Sequence, residues 1–161
     1  MNCCVVSGAI DTVATVGICD VFPAAVNSIP AKVRLSVDIR DTNLQRRDQV
    51  LRALDEVCRV VSEKRRVATH SELLNADAPA ECDPTIVAAL SAACKTCEFS
   101  FLVMTSRAYH DSLFISRIAP VAMLFIPCRN GYSHRPDEFS SPEDIARGAL
   151  VLAETLATLA A

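Results

Sequence analysis

The amino-acid sequence predicts an α/β chain made of two incomplete layers: an α+β part in ferredoxin-like order, then the C-terminal part of an α/β domain. Three observations predict this fold class. Residues 32–40 alternate between apolar and polar side chains, as in a strand with one buried face. Apolar residues within 43–64 recur mostly at spacings of three and four, as on one face of a helix. After a linker at 75–84 that carries two prolines, helical and strand-like apolar segments alternate.

The first part of the chain predicts a pair of strands. β-branched and aromatic residues favour a strand over 12–22, and Pro23 and Pro30 bound an irregular turn. In the strand 32–40 the apolar side chains share one face and the polar ones, Arg40 among them, share the other. We therefore expect an antiparallel sheet with one open face.

An amphipathic helix follows at 43–64. Thr42 or Asn43 can cap it, because either side chain can accept hydrogen bonds from the first amides. A further short strand fits residues 66–74. The order strand, strand, helix, strand lacks the first strand and helix of a ferredoxin-like layer, so this layer is expected to be incomplete.

The second part begins with Asp83, which is expected to cap a helix that has Pro84 in its first turn. Strand-like apolar segments follow at 100–106 and 121–127. Helix, strand, loop, strand, loop and a last helix suit the C-terminal part of an α/β sandwich.

The last helix has its own start signal in "SSPED". Ser140 and Glu143 have the spacing of a capping box, with Pro142 in the first turn. The residues from Ile145 onward are rich in helix formers. We therefore predict a helix over the end of the sequence, with Ser140 at its N-cap.

Composition and charge disfavour two classes of partner. Sixteen Lys and Arg against 19 Asp and Glu give a formal net charge of −3, without the concentrated basic stripe of a nucleic-acid surface. No apolar run reaches the about 18 residues that span a bilayer. Residues 1–16 lack the basic start and clean apolar core of a secretory signal. Neither nucleic acid nor a membrane is expected as a partner.

Eight cysteines occur, several in apolar settings such as those of Cys19 and Cys58. We expect most of them to be small buried apolar residues. Cys94 and Cys97 form a CxxC pair, for which an incidental spacing and a redox or zinc element are both open. A redox domain would require this pair to have a low pKa and to form a reversible disulfide.

His134 follows an apolar segment and precedes a helix, where open α/β sheets place their ligand sites. It is a candidate metal ligand or catalytic residue, and a surface or loop-packing residue is the alternative. Glu138 lies nearby in the sequence "HRPDE". The three histidines of the sequence share no HxD or HExxH spacing, so this chain alone is not expected to assemble a metal cage.

His110 stands between Tyr109 and Asp111, ahead of a predicted helix. It can hydrogen-bond a substrate oxygen or cap that helix, and Asp111 as the N-cap is the alternative. Arg40 has a planar fork that suits a carboxylate, and Asn27 lies in the turn before its strand. A turn-forming Asn and a solvated Arg are the alternatives for that pair.

Four stretches together resemble one enzyme family. The stretches are residues 27–41, 106–114, 119–144 and 146–160. Similar stretches appear in the same order in the metal-dependent amidohydrolases of peptidase family M20, in the branch of allantoate and N-carbamoyl-amino-acid amidohydrolases. Most of that branch has "GAGHDA" where this sequence has "RAYHDS". The Arg-Ala-Tyr form resembles the plant-type ureidoglycolate amidohydrolases, which implies hydrolysis of ureidoglycolate to glyoxylate, ammonia and CO2 in ureide breakdown.

The resemblance implies a partial M20-type fold with two domains. Residues 1–76 would be the later part of a lid that also forms a homodimer, and 77–161 the C-terminal part of a catalytic domain. The family binds two divalent ions, usually manganese in this branch. By resemblance, His134 is a metal ligand, Asn27 and Arg40 hold the carboxylate of a small-molecule ureide, and His110 contacts the substrate and helps polarise the scissile group.

The family's other metal ligands and its general-base glutamate match no position in this sequence, so this chain alone is expected to be inactive. Hydrolysis of allantoate or an N-carbamoyl amino acid is one alternative function. A short, inactive product that acts as a dimerisation or regulatory partner is another. The plant enzymes that the sequence resembles also imply the endoplasmic reticulum, although no signal peptide is present in this sequence.

Overall fold

The computed structural model describes residues 12–161. The chain divides into two compact units, one ending at Pro79 and the other formed by Ala80–Ala161. The assignment of residues 1–76 to a lid and of 77–161 to a catalytic domain remains a prediction. Among the described residues, no helix combines the length and the apolarity needed to cross a membrane.

The first unit contains the predicted pair of strands as a hairpin, β1 (Val13–Phe22) and β2 (Lys32–Arg40). They pair antiparallel from Val13 opposite Arg40 to Phe22 opposite Lys32, with an irregularity between Val16 and Ile18. Beyond that point the residues of both strands are mostly exposed. The other described residues of this unit therefore shield from solvent chiefly the end of the hairpin where Arg40 lies.

Helix α1 (Leu44–Arg65) follows the hairpin and packs against β2. Of the two candidate caps, Asn43 is the one used: its side chain accepts a hydrogen bond from the backbone N–H of Arg46 at 3.0 Å. The helix ends at Arg66, which has a left-handed backbone with φ 54°. The predicted helix and its cap are confirmed.

The predicted strands at 66–74, 100–106 and 121–127 are wrong. Within residues 12–161 the single sheet consists of β1 and β2, so none of these three segments pairs with another strand. A strand requires a ladder of backbone hydrogen bonds to another strand. An apolar run cannot supply that partner by itself.

In the second unit, α2 (Pro84–Thr96) packs against α4 (Pro142–Leu159). Asp83 caps α2 as predicted, since its Oδ1 accepts from the backbone amides of the second and third helical residues at 2.8 and 3.1 Å. The packed cluster contains few fully buried residues: Ala93, Cys94 and Val151, with Leu90 and Phe99 partly buried against them. Between the two helices the chain forms α3 (Ser112–Ile115) and a 3-10 turn (Arg129–Gly131).

Helix α4 is capped by Ser141, so the prediction of Ser140 is wrong by one residue. The Oγ of Ser141 accepts from the backbone N–H of Asp144 at 3.1 Å and donates to the Asp144 carboxylate at 2.6 Å. Both serines have an acidic residue three positions later, so the spacing alone does not separate them. Pro142 is the first helical residue, which places the cap on the residue directly before it.

We expect Ser141→Ala to lower the free energy of unfolding by about 1 kcal/mol, because it removes the acceptor for a helix-end amide. Ser140→Ala is the matched control and should change it by less than about 0.5 kcal/mol. Urea denaturation of the 161-residue chain, followed by helical circular dichroism, measures both. Equal losses in the two variants would contradict the cap assignment.

Asp41 joins the end of β2 to the start of α1 through a buried carboxylate. Its side chain has 0% exposure and accepts from Arg46 Nη2 at 2.7 Å and Nε at 3.0 Å. The backbone N–H of Asn43 donates to it at 2.7 Å, and the hydroxyl of Thr12 also donates to it. The hydrogen bonds from Arg46, followed by those from Thr12 and Asn43, hold the pKa of Asp41 well below its usual range despite its burial.

This arrangement predicts acid sensitivity of the first unit. The folded-state pKa of Asp41 lies below the unfolded value of about 3.9, so its stabilisation is complete above that pH and is lost as the pH falls toward the folded value. Asp41→Asn should lower the free energy of unfolding by about 2 kcal/mol at pH 7 and flatten its dependence below about pH 5. Urea titrations of both proteins between pH 7 and pH 3 measure this. Parallel pH profiles would contradict the role of Asp41.

Candidate functional site

The loop of residues 128–139, here called the His134 loop, is closed at its base. The backbone N–H of Arg129 donates to the carbonyl of Phe139 at 2.8 Å, and the Arg129 guanidinium lies 4.6 Å from the centre of the Phe139 ring. The thiol of Cys128 lies 3.1 Å from the carbonyl oxygen of Tyr132. These contacts bring the two ends of the loop together just before α4.

His134 itself has a left-handed backbone, with φ 59°. Its backbone N–H donates to Glu138 Oε2 at 2.7 Å, and the backbone N–H of Glu138 donates to the carbonyl of Arg135 at 3.0 Å. The residue is exposed, and within the described chain no hydrogen bond engages its imidazole. Both ring nitrogens are therefore accessible to a ligand.

A single imidazole is a suitable metal ligand but does not make a metal site. Among residues 12–161 there is no group of three or more His, Cys, Asp or Glu side chains that could hold an ion. The Glu138 carboxylate is engaged by the backbone N–H of His134. The described residues thus fit one ligand of a metal site and supply no complete set.

His110 lies two residues before α3, and its side chain is hydrogen-bonded to the start of that helix. Asp111, the residue at the N-cap position, makes no side-chain capping bond, whereas His110 Nδ1 accepts from the backbone N–H of Ser112 at 3.3 Å. Asp111 is therefore the N-cap residue by position, but the side chain that accepts from the helix is that of His110. An accepting Nδ1 assigns the proton of neutral His110 to Nε2, which leaves Nε2 as a hydrogen-bond donor.

Tyr109, the residue before His110, makes an aromatic contact with α3. The rings of Tyr109 and Phe114 meet edge to face, with centroids 5.9 Å apart and an interplanar angle of 78°. The guanidinium of Arg117 lies 5.1 Å from the centre of the Phe114 ring on the same short turn. Tyr109 therefore packs against the short turn that follows His110.

Arg40 is paired with an acidic neighbour on its own strand. Its Nε donates to Asp38 Oδ2 at 2.8 Å, and its Nη2 donates to the same oxygen. The two residues are two positions apart and share one face of β2. The hydrogen bond and the charge of Asp38 raise the pKa of Arg40. Arg40 is thus an exposed, ion-paired residue at the end of the hairpin.

Asn27 lies at the opposite end of the hairpin from Arg40. It belongs to the turn between β1 and β2, in which Val26 and Ile29 are almost fully exposed, so the turn does not fold back over the sheet. The strand from Lys32 to Arg40 spans about 26 Å, at about 3.3 Å per residue. Within one chain these two candidate substrate ligands therefore cannot contact the same carboxylate.

The expectation that most cysteines are buried is wrong for the described residues. Of the six in the described residues, all are free thiols and Cys94 alone is buried, whereas Cys19 and Cys82 are exposed. Cys19 is exposed because it lies in the uncovered half of the hairpin. Burial and the neighbouring Cys97 raise the pKa of Cys94. A redox CxxC pair requires a lowered thiol pKa, so this environment disfavours that function.

Comparison with known proteins gives a consistent result. The sequence profile of Peptidase family M20/M25/M40 matches residues 4–158. Ureidoglycolate hydrolase of Oryza sativa subsp. japonica is 44% identical over 95% of this chain, and that of Arabidopsis thaliana is 46% identical over 95%. The chain spans 32% of the length of each.

Relatives with other activities are more distant. The N-carbamoyl-L-amino-acid amidohydrolase of Pseudomonas sp. (strain NS671) is 35% identical over 90% of this chain, and the chain spans 35% of that relative. The allantoate amidohydrolase of Escherichia coli (strain K12) is 30% identical over 92%, and the chain spans 36% of it.

Solved structures show the same similarity. The crystal structures of AtUAH in complex with glyoxylate and with (S)-hydroxyglycine each match with a TM-score of 0.86 at 46% identity, over 94% of this chain and 36% of the AtUAH chain. The profile covers almost the whole sequence, and the fold agrees with solved relatives at substantial identity. The chain therefore belongs to peptidase family M20/M25/M40.

Proposed function

We propose that this chain is the C-terminal part of a ureidoglycolate-hydrolysing amidohydrolase. The observation that carries the proposal is the identity of 44–46% with plant ureidoglycolate hydrolases, against 35% and 30% for the N-carbamoyl-amino-acid and allantoate enzymes. The reaction takes ureidoglycolate and water to glyoxylate, CO2 and two molecules of ammonia. Hydrolysis of the ureido C–N bond leaves hydroxyglycine, a carbinolamine that releases ammonia to give glyoxylate. AtUAH structures are named for complexes with both of these molecules, which supports this order of steps.

Amidohydrolases of the M20 family are generally metal-dependent. Our proposal is a site for two divalent ions, with manganese as the expected metal and His134 as the ligand that this chain contributes. Such ions supply an acidified water and polarise a carbonyl oxygen when they are bound. The exposed imidazole of His134, which has no hydrogen bond within the described residues, is consistent with that role.

The proposal assigns the other candidate residues to substrate binding. The guanidinium of Arg40, which Asp38 orients, and the amide of Asn27 bind the substrate carboxylate. His110 donates from Nε2 to the oxygen of the scissile ureido group, because its Nδ1 accepts the amide hydrogen of Ser112. That hydrogen bond also fixes the plane of the imidazole relative to α3, so the donor direction is set before substrate binds.

The hairpin geometry leads us to propose a homodimer formed through the first unit. Asn27 lies in the turn before β2 and Arg40 ends β2, a strand that spans about 26 Å. Both can hold one carboxylate if Asn27 comes from one protomer and Arg40 from the other. A two-fold dimer would then contain two such composite sites.

The substrate assignment can be tested in a full-length enzyme, built by joining residues 4–158 to the upstream part of the Arabidopsis thaliana relative. We call this protein the chimaera. Ammonia release from ureidoglycolate, allantoate and an N-carbamoyl-L-amino acid should give a kcat/KM for ureidoglycolate at least about tenfold above the other two, a difference of about 1.4 kcal/mol. A preference for either of the others would refute the substrate assignment while leaving the family assignment intact.

Arg40→Lys in the chimaera should raise the Michaelis constant for ureidoglycolate by about 10–100-fold, because an ammonium cannot replace the planar fork. Bound metal, measured by elemental analysis, should stay unchanged. Arg34→Lys is the matched control, since Arg34 pairs with Asp20 on the same hairpin at 2.7 Å and has no proposed role in substrate binding. An unchanged Michaelis constant in Arg40→Lys would contradict the assignment of Arg40.

A further inference from the structure

We propose that Glu138 is a positioning residue: its carboxylate holds the backbone of His134 in the left-handed conformation and so sets the direction of the imidazole. The inference rests on the proposed role of His134 as a metal ligand. Glu138 would orient this ligand and would not itself bind the ion.

The backbone of His134 needs such a restraint. Its φ of 59° lies in the left-handed region, which is sterically unfavourable for residues with a side chain. Such conformations persist when their surroundings determine them, and they concentrate at functional sites. A relaxed backbone at this position would rotate the Cα–Cβ bond and carry the imidazole away from its present direction.

The hydrogen bond from the His134 N–H to Glu138 Oε2 supplies the restraint. At 2.7 Å it has the length of a charge-assisted bond from an amide to a carboxylate. The backbone of Glu138 is itself held, because its N–H donates to the carbonyl of Arg135 at 3.0 Å. Among the described residues this is the one hydrogen bond that engages His134.

The rest of the loop is braced without touching His134. Arg135 donates to the Asp137 carboxylate at 2.8 and 2.9 Å, and its guanidinium lies 3.8 Å from the centre of the Tyr132 ring. Asp137 is therefore a useful comparison: it is a carboxylate in the same loop, one residue from Glu138, and is bound to Arg135 instead of His134. Removal of either carboxylate changes the loop charge equally.

The test measures manganese affinity in the chimaera for Glu138→Ala, Glu138→Gln, His134→Ala and the control Asp137→Asn. Metal-depleted protein is titrated with Mn²⁺, free Mn²⁺ is followed by electron paramagnetic resonance, and folding is checked by circular dichroism. Glu138→Ala should weaken the affinity by about 10–100-fold, the effect expected for residues that orient a metal ligand. Glu138→Gln keeps an oxygen acceptor and should lose less than about fivefold, while Asp137→Asn should match the unaltered protein.

The outcomes separate this inference from the proposed function. If His134→Ala lowers the affinity and folded Glu138→Ala does not, the positioning role is wrong and the ligand assignment stands. If His134→Ala has no effect, the ligand assignment itself fails. Should Glu138→Ala not fold, Glu138→Gln decides: a loss as large as that of His134→Ala, or an equal loss in Asp137→Asn, would overturn the role of the Glu138 hydrogen bond.

Discussion

A mixed dimer of the chimaera, with Asn27→Ala in one protomer and Arg40→Ala in the other, should recover about half of the unaltered activity. In the proposed dimer each composite site takes Asn27 from one protomer and Arg40 from the other, because β2, which spans about 26 Å, separates the turn of Asn27 from Arg40 within a chain. In the mixed dimer one site then carries both substitutions and the other carries neither. Two different affinity tags allow the mixed species to be purified and assayed.

The two homodimeric variants provide the baseline. Arg40→Ala should lower kcat/KM by about 100-fold or more, since an Arg–carboxylate pair contributes about 2–5 kcal/mol. Asn27→Ala should lower it by about tenfold, which corresponds to one lost hydrogen bond to a charged group. If both residues served a site within one protomer, the mixed dimer would show only the average of the two low activities. Recovery to about half therefore distinguishes the two arrangements.

His134→Ala should remove bound metal from the chimaera and abolish its hydrolase activity together. Loss of a residue that only orients a ligand costs about 10–100-fold in metal affinity, so loss of the ligand itself should cost more than about 100-fold. Elemental analysis after gel filtration in metal-limited buffer measures the bound ion. We expect added Mn²⁺ at high concentration to restore part of the activity, because the remaining ligands of the site are unchanged.

His70→Ala is the matched control for this variant. His70 is also an exposed histidine, it lies in the first unit, and it has no proposed role. It should keep its metal and its activity. A full complement of metal in His134→Ala would show that His134 does not bind the ion, and would also remove the basis for the role of Glu138.

Local rules predicted the helices and most of their caps. Asn43 and Asp83 both cap through hydrogen bonds to amides two or three residues later, so the information lies in a few neighbouring residues. The cap of α4 was predicted at Ser140 and lies at Ser141, because both serines satisfy the same spacing. The proline that follows Ser141 was the signal that separated them.

The strand predictions failed where the partner was missing. The segments 100–106 and 121–127 are apolar enough for buried strands, but strand formation depends on a neighbouring backbone that an apolar run does not specify. The pair 12–22 and 32–40 succeeded because the turn between them brings both partners together within one short stretch. The same dependence on distant partners explains why Cys19 is exposed.

Two contacts at the candidate site had weak signals in the sequence. Asp38 pairs with Arg40 from the same face of β2, which the alternation of period two could have indicated. The carboxylate of Glu138 binds the backbone of His134, and nothing in the residue spacing indicated the left-handed conformation of a histidine. The capping role of His110 was one of the two functions that its position before α3 predicted.

By itself the sequence determined the hairpin, the three long helices and the family, because these depend on periodicity, capping residues and motifs that short stretches of chain carry. Only the tertiary structure decided how the candidate residues relate to one another. It separated Asn27 from Arg40, paired Arg40 with Asp38, and placed Glu138 on the backbone of His134. Those relations depend on strand length, turn direction and backbone conformation, which are set when the chain packs in three dimensions.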